Sequence, residues 1–294
     1  MAQDNDTWTI LKILEWTTDF FESKGLDTPR LDAEVLLSHT LDLKRIQLYA
    51  QFDRPLVDEE LAAYRALIKR RAAREPVSHL CGKREFWSLD FQVNQHVLTP
   101  RPDTEVLIQE SLDRIDDLDE PGLRIADIGT GSGAIAIVLT HERPDIEMWA
   151  TDIDEHALQV AQKNAAHHGV DERITFLQGD LLEPLPDDGT AFDLIISNPP
   201  YIANTERPDL PPEVREYEPP QALFSGDDGL DHIRRLIPQA VDLLAPEGWL
   251  LFEIGHQQGA AVKELLQAHP LEDIAIRQDY GQRDRVARAR RITS

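Results

Sequence analysis

The chain has 294 residues, 41% of them hydrophobic, and a formal net charge of −24. That length accommodates two domains of ordinary size with a real core. The acidic field repels phosphates and argues against nucleic-acid binding, and no apolar run of about 18 residues predicts a membrane span.

The first 14 residues are acidic and carry no basic stretch ahead of an apolar one. They do not read as a signal peptide, so the expected location is the cytoplasm. Residues 7–75 then read as helical. Trp8, Ile10, Leu11, Ile13, Leu14, Phe20 and Phe21 precede a stop at Gly25, and Pro29 opens a second helix with Leu31, Val35 and Leu36 at helical spacing. A third begins at Asp58, expected as its cap, and ends on Lys69, Arg70 and Arg71, which complement the helix dipole. A small all-helical domain of about four helices is predicted over 1–78. The sole cysteine, Cys81, excludes an intramolecular disulfide and any multi-cysteine metal site; no metal is expected, and a small buried role is.

Within 79–100 the period changes to alternation around Phe86, Leu89, Phe91 and Val93, which predicts a hairpin linker. Pro102 begins another helix, whose acidic end at 113–120 reads as solvated. From 123 onward strands and helices alternate, with a helix expected to close on Gly248 and two final strands turning near Gly281. Alternation of this kind gives βαβ units and a parallel sheet, so 101–294 is an α/β domain.

The sequence IADIGTGSGAIAI places Gly129, Gly131 and Gly133 between a strand and a helix. The next strand ends at Asp152, where a carboxylate faces the same crevice and accepts from ribose hydroxyls. The spacing G-x-G-x-G differs from the dinucleotide fingerprint, and Asp127 would repel a pyrophosphate. A cationic nucleoside ligand such as S-adenosylmethionine suits the loop better. The alternative is a tight turn with solvated acids.

In IISNPPYI a strand meets two prolines, which stop it abruptly. Asn198 stands at the carboxyl edge of the sheet, on a stiff turn. Its side-chain oxygen and the Pro199 carbonyl can each accept from one NH2 group, while Tyr201 can stack on a planar group or donate its hydroxyl. An amide nitrogen is a poor nucleophile that gains positive charge as a methyl arrives. Two acceptors aimed at its hydrogens strengthen in the transition state. At about 1.5–3 kcal/mol each they supply roughly two to four decades in rate. No general base is needed, in keeping with the lack of a compelling His or Lys nearby.

The loop DIGTGSG, Asp152 and NPPY resemble Rossmann-like methyltransferases acting on planar NH2 groups. That tetrapeptide alone is shared with adenine-N6 DNA methyltransferases. REPVSHLCGKREFW, LTPRPDTEVL, VREYEPPQALFSGDDGLDHIRRLI, LFEIGHQQG and DYGQRDRVARA resemble the bacterial N5-glutamine methyltransferases of the HemK/PrmC type, over about residues 30–291. The resemblance implies a Rossmann-like, seven-stranded class I methyltransferase domain, with an N-terminal helical substrate-binding domain joined by a β-hairpin. It implies transfer from S-adenosylmethionine to the glutamine of the Gly-Gly-Gln motif in peptide chain release factors. A cytoplasmic monomer without direct nucleic-acid contact is expected. By position, Gly129, Thr130, Gly131, Ser132 and Gly133 would hold the cofactor's methionine part and Asp152 its ribose. Asp180 and Leu181 would flank the adenine, with Leu181 equally readable as core packing, and Asn198 would bridge cofactor and substrate. Asn198, Pro199, Pro200 and Tyr201 would bind the glutamine amide, and Pro100–Glu105 would shape the cofactor wall. Arg101 and Glu105 read alternatively as a surface ion pair.

Other residues read as structural: His167 and His168 as solvated, Glu253 as packing polarity, the five tryptophans as core or domain contacts. With 23 Arg against 7 Lys, the acidic surface suits a salt-rich cytoplasm, and equally an ordinary acidic protein. The alternative activities are glutamine methylation of a ribosomal protein, adenine methylation of DNA (disfavoured by charge) and cofactor binding without catalysis.

Overall fold

A computed structural model describes residues 7–186, 189 and 191–293. The chain forms two compact units, residues 1–82 and 83–294. In the first, α1 (Ile10–Ser23), α2 (Pro29–Leu41), α3 (Arg45–Ala50), α4 (Asp58–Ala72) and α5 (Val77–Cys81) enclose one core. Ile10, Ile13, Leu14, Thr17 and Phe21 share the buried stripe of α1, as a 3.6-residue period requires. Tyr64 of α4 is fully buried and donates to the Ala33 carbonyl at 2.9 Å. Asp58 is not the α4 cap; Val57 is, and the Glu60 side chain accepts from its N–H at 3.1 Å. Cys81 is half-buried against this core.

The second unit opens with the hairpin β1 (Lys83–Phe86) and β2 (Leu89–Gln92). Its two-residue turn holds Trp87 and Ser88 at φ 51° and 59°, the twist that a tight hairpin needs. A 3-10 turn at Pro102–Thr104 leads into α6 (Glu105–Leu118). The sheet follows, built from β3 (Arg124–Ile128), β4 (Glu147–Asp152), β5 (Ile174–Gln178), β6 (Phe192–Ser197), β7 (Leu244–Glu253), β8 (Leu271–Gln278) and β9 (Asp284–Arg291). Their order is β5-β4-β3-β6-β7-β9-β8, parallel except for β9, which runs antiparallel between β7 and β8. Successive residues of the central strands alternate between two cores. Leu194, Ile196 and Leu251 join α6 and α7 (Ala134–Glu142) on one face. Ile195, Leu250 and Phe252 join α10 (Asp231–Leu243) and α11 (Gly259–Gln267) on the other. The helix α8 (Glu155–His167) connects β4 to β5, and α9 (Pro212–Tyr217) lies in the long connection after β6.

The helix expected to close on Gly248 ends at Leu243, and β7 takes in residues 244–248. Ala245 precedes Pro246, a position that disfavours helical backbone. Among the described residues no helix is long and apolar enough to cross a membrane.

Candidate functional site

A cavity of about 220 Å³ opens at the carboxyl ends of β3, β4, β5 and β6. The strand order reverses direction between β3 and β6, which is where open parallel sheets leave a crevice. The loop after β3 forms one wall. Gly129 and Thr130 donate their N–H groups to the Thr151 carbonyl, both at 2.9 Å. Gly129 and Gly131 line the cavity at φ +73° and +56°, and a Cβ on either would meet no protein atom within 4 Å. The backbone is therefore laid open to a ligand on that side.

Asp152 stands at the end of β4 and lines the same cavity. Its Oδ2 accepts from Gly131 N and its Oδ1 from Asp154 N, each at 2.9 Å. Burial raises its pKa against those backbone donors. Asp127 does not line the cavity, so the loop-facing carboxylate read from sequence lies behind the loop instead. Fully buried, it accepts from the Thr130 hydroxyl at 2.6 Å and Ala136 N at 3.2 Å. Among the described residues its Oδ1 has no hydrogen-bond partner, and burial pushes its carboxyl up to about 7. Ser132 is buried, with its carbonyl accepting from Asn164 Nδ2 at 2.8 Å.

Asp180 and Leu181 follow β5 and line the cavity. Asp180 Oδ2 pairs with Arg235 Nη2 at 2.5 Å. Leu181 has φ +50°, strained for a side chain, and its carbonyl accepts from the Thr151 hydroxyl at 2.9 Å. Its side chain also packs on the second core. On the opposite wall, Arg101 pairs with the buried Glu218 at 3.0 Å rather than with Glu105, and the Thr99 N–H donates to the same carboxylate.

Asn198 follows β6 and lines the cavity with Pro199 and Pro200. Asn198 Nδ2 donates to Thr104 Oγ1 at 3.3 Å, and Thr104 donates in turn to Glu253 Oε2 at 2.7 Å. Tyr201 is not among the lining residues. Its hydroxyl donates to Glu253 Oε1 at 3.0 Å. Glu253 is fully buried; desolvation raises its pKa and Arg285 opposes the shift. Desolvation and the neighbouring Glu253 raise the Tyr201 hydroxyl too. The backbone of the tip is fastened separately. Gln258 Nε2 donates to the Tyr201 carbonyl at 2.9 Å, and Ile202 exchanges hydrogen bonds with the Leu223–Ser225 segment.

Three features escaped sequence reasoning. Glu253, read as packing polarity, is the hub of the tip's hydrogen bonds. His96 and His232 line the cavity, where no compelling histidine was expected. The His232 N–H donates to the Ser225 hydroxyl and the ring Nδ1 lies 2.9 Å from the same oxygen, while burial lowers its pKa. Its one sequence signal is its place at the start of α10, beside the carboxyl edge. His167 is exposed, but His168 is only half-exposed, its ring 2.9 Å from the Asp90 carbonyl and tilted against Phe91.

Residues 12–82 match the family model of the PrmC N-terminal domain, and residues 104–210 that of the methyltransferase small domain. The chain is 43% identical over 290 residues to a release factor glutamine methyltransferase of Geobacter sulfurreducens, covering 99% of each. It is 46% identical over 257 residues to one of Xylella fastidiosa, covering 87% of this chain and 91% of the other. Among solved structures, a methyltransferase from Pyrococcus furiosus superposes with a TM-score of 0.52 at 16% identity, over 78% of this chain and 98% of that one. The N-terminal domain of human METTL16 in complex with SAH gives 0.54 at 20% identity, over 82% and 86%. At those identities the two structures speak to the fold alone.

Proposed function

This chain belongs to the release factor glutamine methyltransferase family, and from that premise we infer that its cavity carries methyl transfer from S-adenosylmethionine to the N5 of a release-factor glutamine, the one in the Gly-Gly-Gln motif. The cofactor, when bound, supplies a methyl group made electrophilic by its sulfonium. The residues present fit it. The loop backbone is open at Gly129 and Gly131, where a Cβ would fill the cradle, and a carboxylate stands at the end of the next strand. Gly129 to Gly133 would hold the methionine part and Asp152 the ribose, through lone pairs beyond the two it gives to backbone N–H groups. Asp180 and Leu181 would flank the adenine.

The observation that carries the reading is the direction of the Asn198 amide. Its NH2 end is held on Thr104, which leaves Oδ1 as the acceptor of a side chain that lines the cavity. Asn198 Oδ1 and the Pro199 carbonyl then accept from the glutamine NH2 and stabilise charge that grows on nitrogen during transfer. Pro200 stiffens the turn, and Tyr201 braces it through Glu253 instead of donating to substrate. The enzyme works as a cytoplasmic monomer on a protein substrate without contacting nucleic acid. Separate incubation with a release factor and with a ribosomal protein tests this. The mass of one methylene should appear on the glutamine peptide of the release factor, and its absence there overturns the reading.

A further inference from the structure

We propose that Thr104 and Glu253 are positioning residues that decide which end of the Asn198 amide meets the substrate; this rests on the reading above and deepens it. An asparagine amide has two ends of nearly equal shape and opposite hydrogen-bonding sense. Only the oxygen end can accept from a substrate NH2, and a flipped Asn198 would set donor against donor.

With Glu253 ionised, counting protons fixes the choice. Thr104 Oγ1 lies 2.7 Å from Glu253 Oε2, and a hydroxyl has one proton to give. A carboxylate only accepts, so that proton goes to Glu253. The Thr104 oxygen is left as an acceptor, and the Asn198 group 3.3 Å away must be its NH2. Glu253 Oε1 cannot reverse the chain, because it takes the Tyr201 hydroxyl at 3.0 Å. Arg285 Nη1 lies 3.9 Å from the same oxygen and opposes the rise in pKa that burial gives Glu253, while Arg285 Nη2 is held by Asp103 at 3.2 Å and Asp279 at 3.3 Å. The Thr104 and Tyr201 hydroxyls thus converge on one buried carboxylate. The three residues come from separate places: the turn before α6, the end of β7 and the end of β6.

The test uses the full chain with S-adenosylmethionine and a release factor. Thr104→Val keeps the side-chain volume and removes the hydroxyl. It should lower kcat roughly 10- to 100-fold, with calorimetric affinity for S-adenosylmethionine held within about threefold. Thr104→Ser keeps the hydroxyl and should recover kcat to within about threefold of the parent. Glu253→Gln brings N–H donors to the hub and should lower kcat as Thr104→Val does. A valine variant that turns over like the parent, or a serine variant as impaired as valine, overturns the proposal. The side-chain NH2 resonances of Asn198, identified by their loss in Asn198→Asp, give a readout independent of the methyl acceptor. They should shift in Thr104→Val and return in Thr104→Ser; resonances unmoved by valine also overturn it. If the parent fails to methylate the release factor while these shifts occur as expected, the functional reading falls and the relay stands.

Discussion

The two walls of the cavity are built by different means. On the glycine-loop wall the supports are close in sequence. Thr130 bonds Asp127 three residues back, Asp152 takes the N–H of Asp154 two residues on, and its bond to Gly131 spans 21 residues of one βαβ unit. On the Asn198 wall they are remote. Thr104 is 94 residues from Asn198 and 149 from Glu253, while Tyr201 is 52 from Glu253 and 57 from Gln258. The difference teaches that the loop's shape is encoded where the loop is built, whereas the tip's aim is encoded in other elements.

The largest effect is expected at Asn198. Asn198→Ala should lower kcat by about 10²–10³, as loss of one transition-state hydrogen-bonding group does, with the affinity for S-adenosylmethionine changed only a few-fold. Single-turnover transfer and calorimetry read the two separately. Equal losses in both would break the division between walls.

A second prediction concerns pH and the loop wall. The carboxyl of Asp127 is raised from 3.8 to about 7 by burial. The folded state therefore holds that proton more tightly than the unfolded chain. The resulting stability is fully present below about pH 4 and is lost as pH rises through about 7. The difference in melting temperature between the parent and Asp127→Asn should decline across that window, by the equivalent of about 4 kcal/mol, and level off above it. A flat difference would mean that the buried carboxylate is stabilised by more than its two neighbours.

Backbone changes sharpen the contrast further. A Cβ on Gly229, at φ +77°, would lie 2.2 Å from the Tyr201 carbonyl oxygen. Gly229→Ala should cost about 2–3 kcal/mol in chemical denaturation and lower kcat, because the tip is displaced. Gly131→Ala meets open space but keeps φ +56°, so about 1 kcal/mol and a weaker hold on S-adenosylmethionine are expected. The smallest effect belongs to the half-exposed Arg235–Asp180 pair. Arg235→Ala should change stability by less than about 0.5 kcal/mol, measured by the same denaturation.

Legibility in the sequence follows the same division. The strand–loop–helix–strand run from Arg124 to Asp152 was readable because its glycines, apolar runs and terminal acid act on immediate neighbours. The end of α10 was misplaced because its apolar run continues without a break into β7, and only Pro246 marks the change. The 3-10 turns and short α9 between Asn204 and Ala222 were not predicted, since proline-rich segments carry little periodicity. Tyr201 was expected to meet the substrate; its hydroxyl is held by a carboxylate whose proximity no local pattern announces.

By itself the sequence determined the alternation of elements, the bend at the glycine loop, the carboxylate at the end of β4 and the abrupt stop at Asn198. These depend on backbone sterics and short-range periodicity. The tertiary structure alone decided what those groups are bonded to. It set Glu253 beneath Thr104 and Tyr201, turned Asp127 behind the loop, gave Arg101 to Glu218 and brought His232 to the cavity wall. The strand order β4-β3-β6-β7 places groups scores of residues apart within hydrogen-bonding distance, and a single hydroxyl proton in that space fixes the direction of the Asn198 amide.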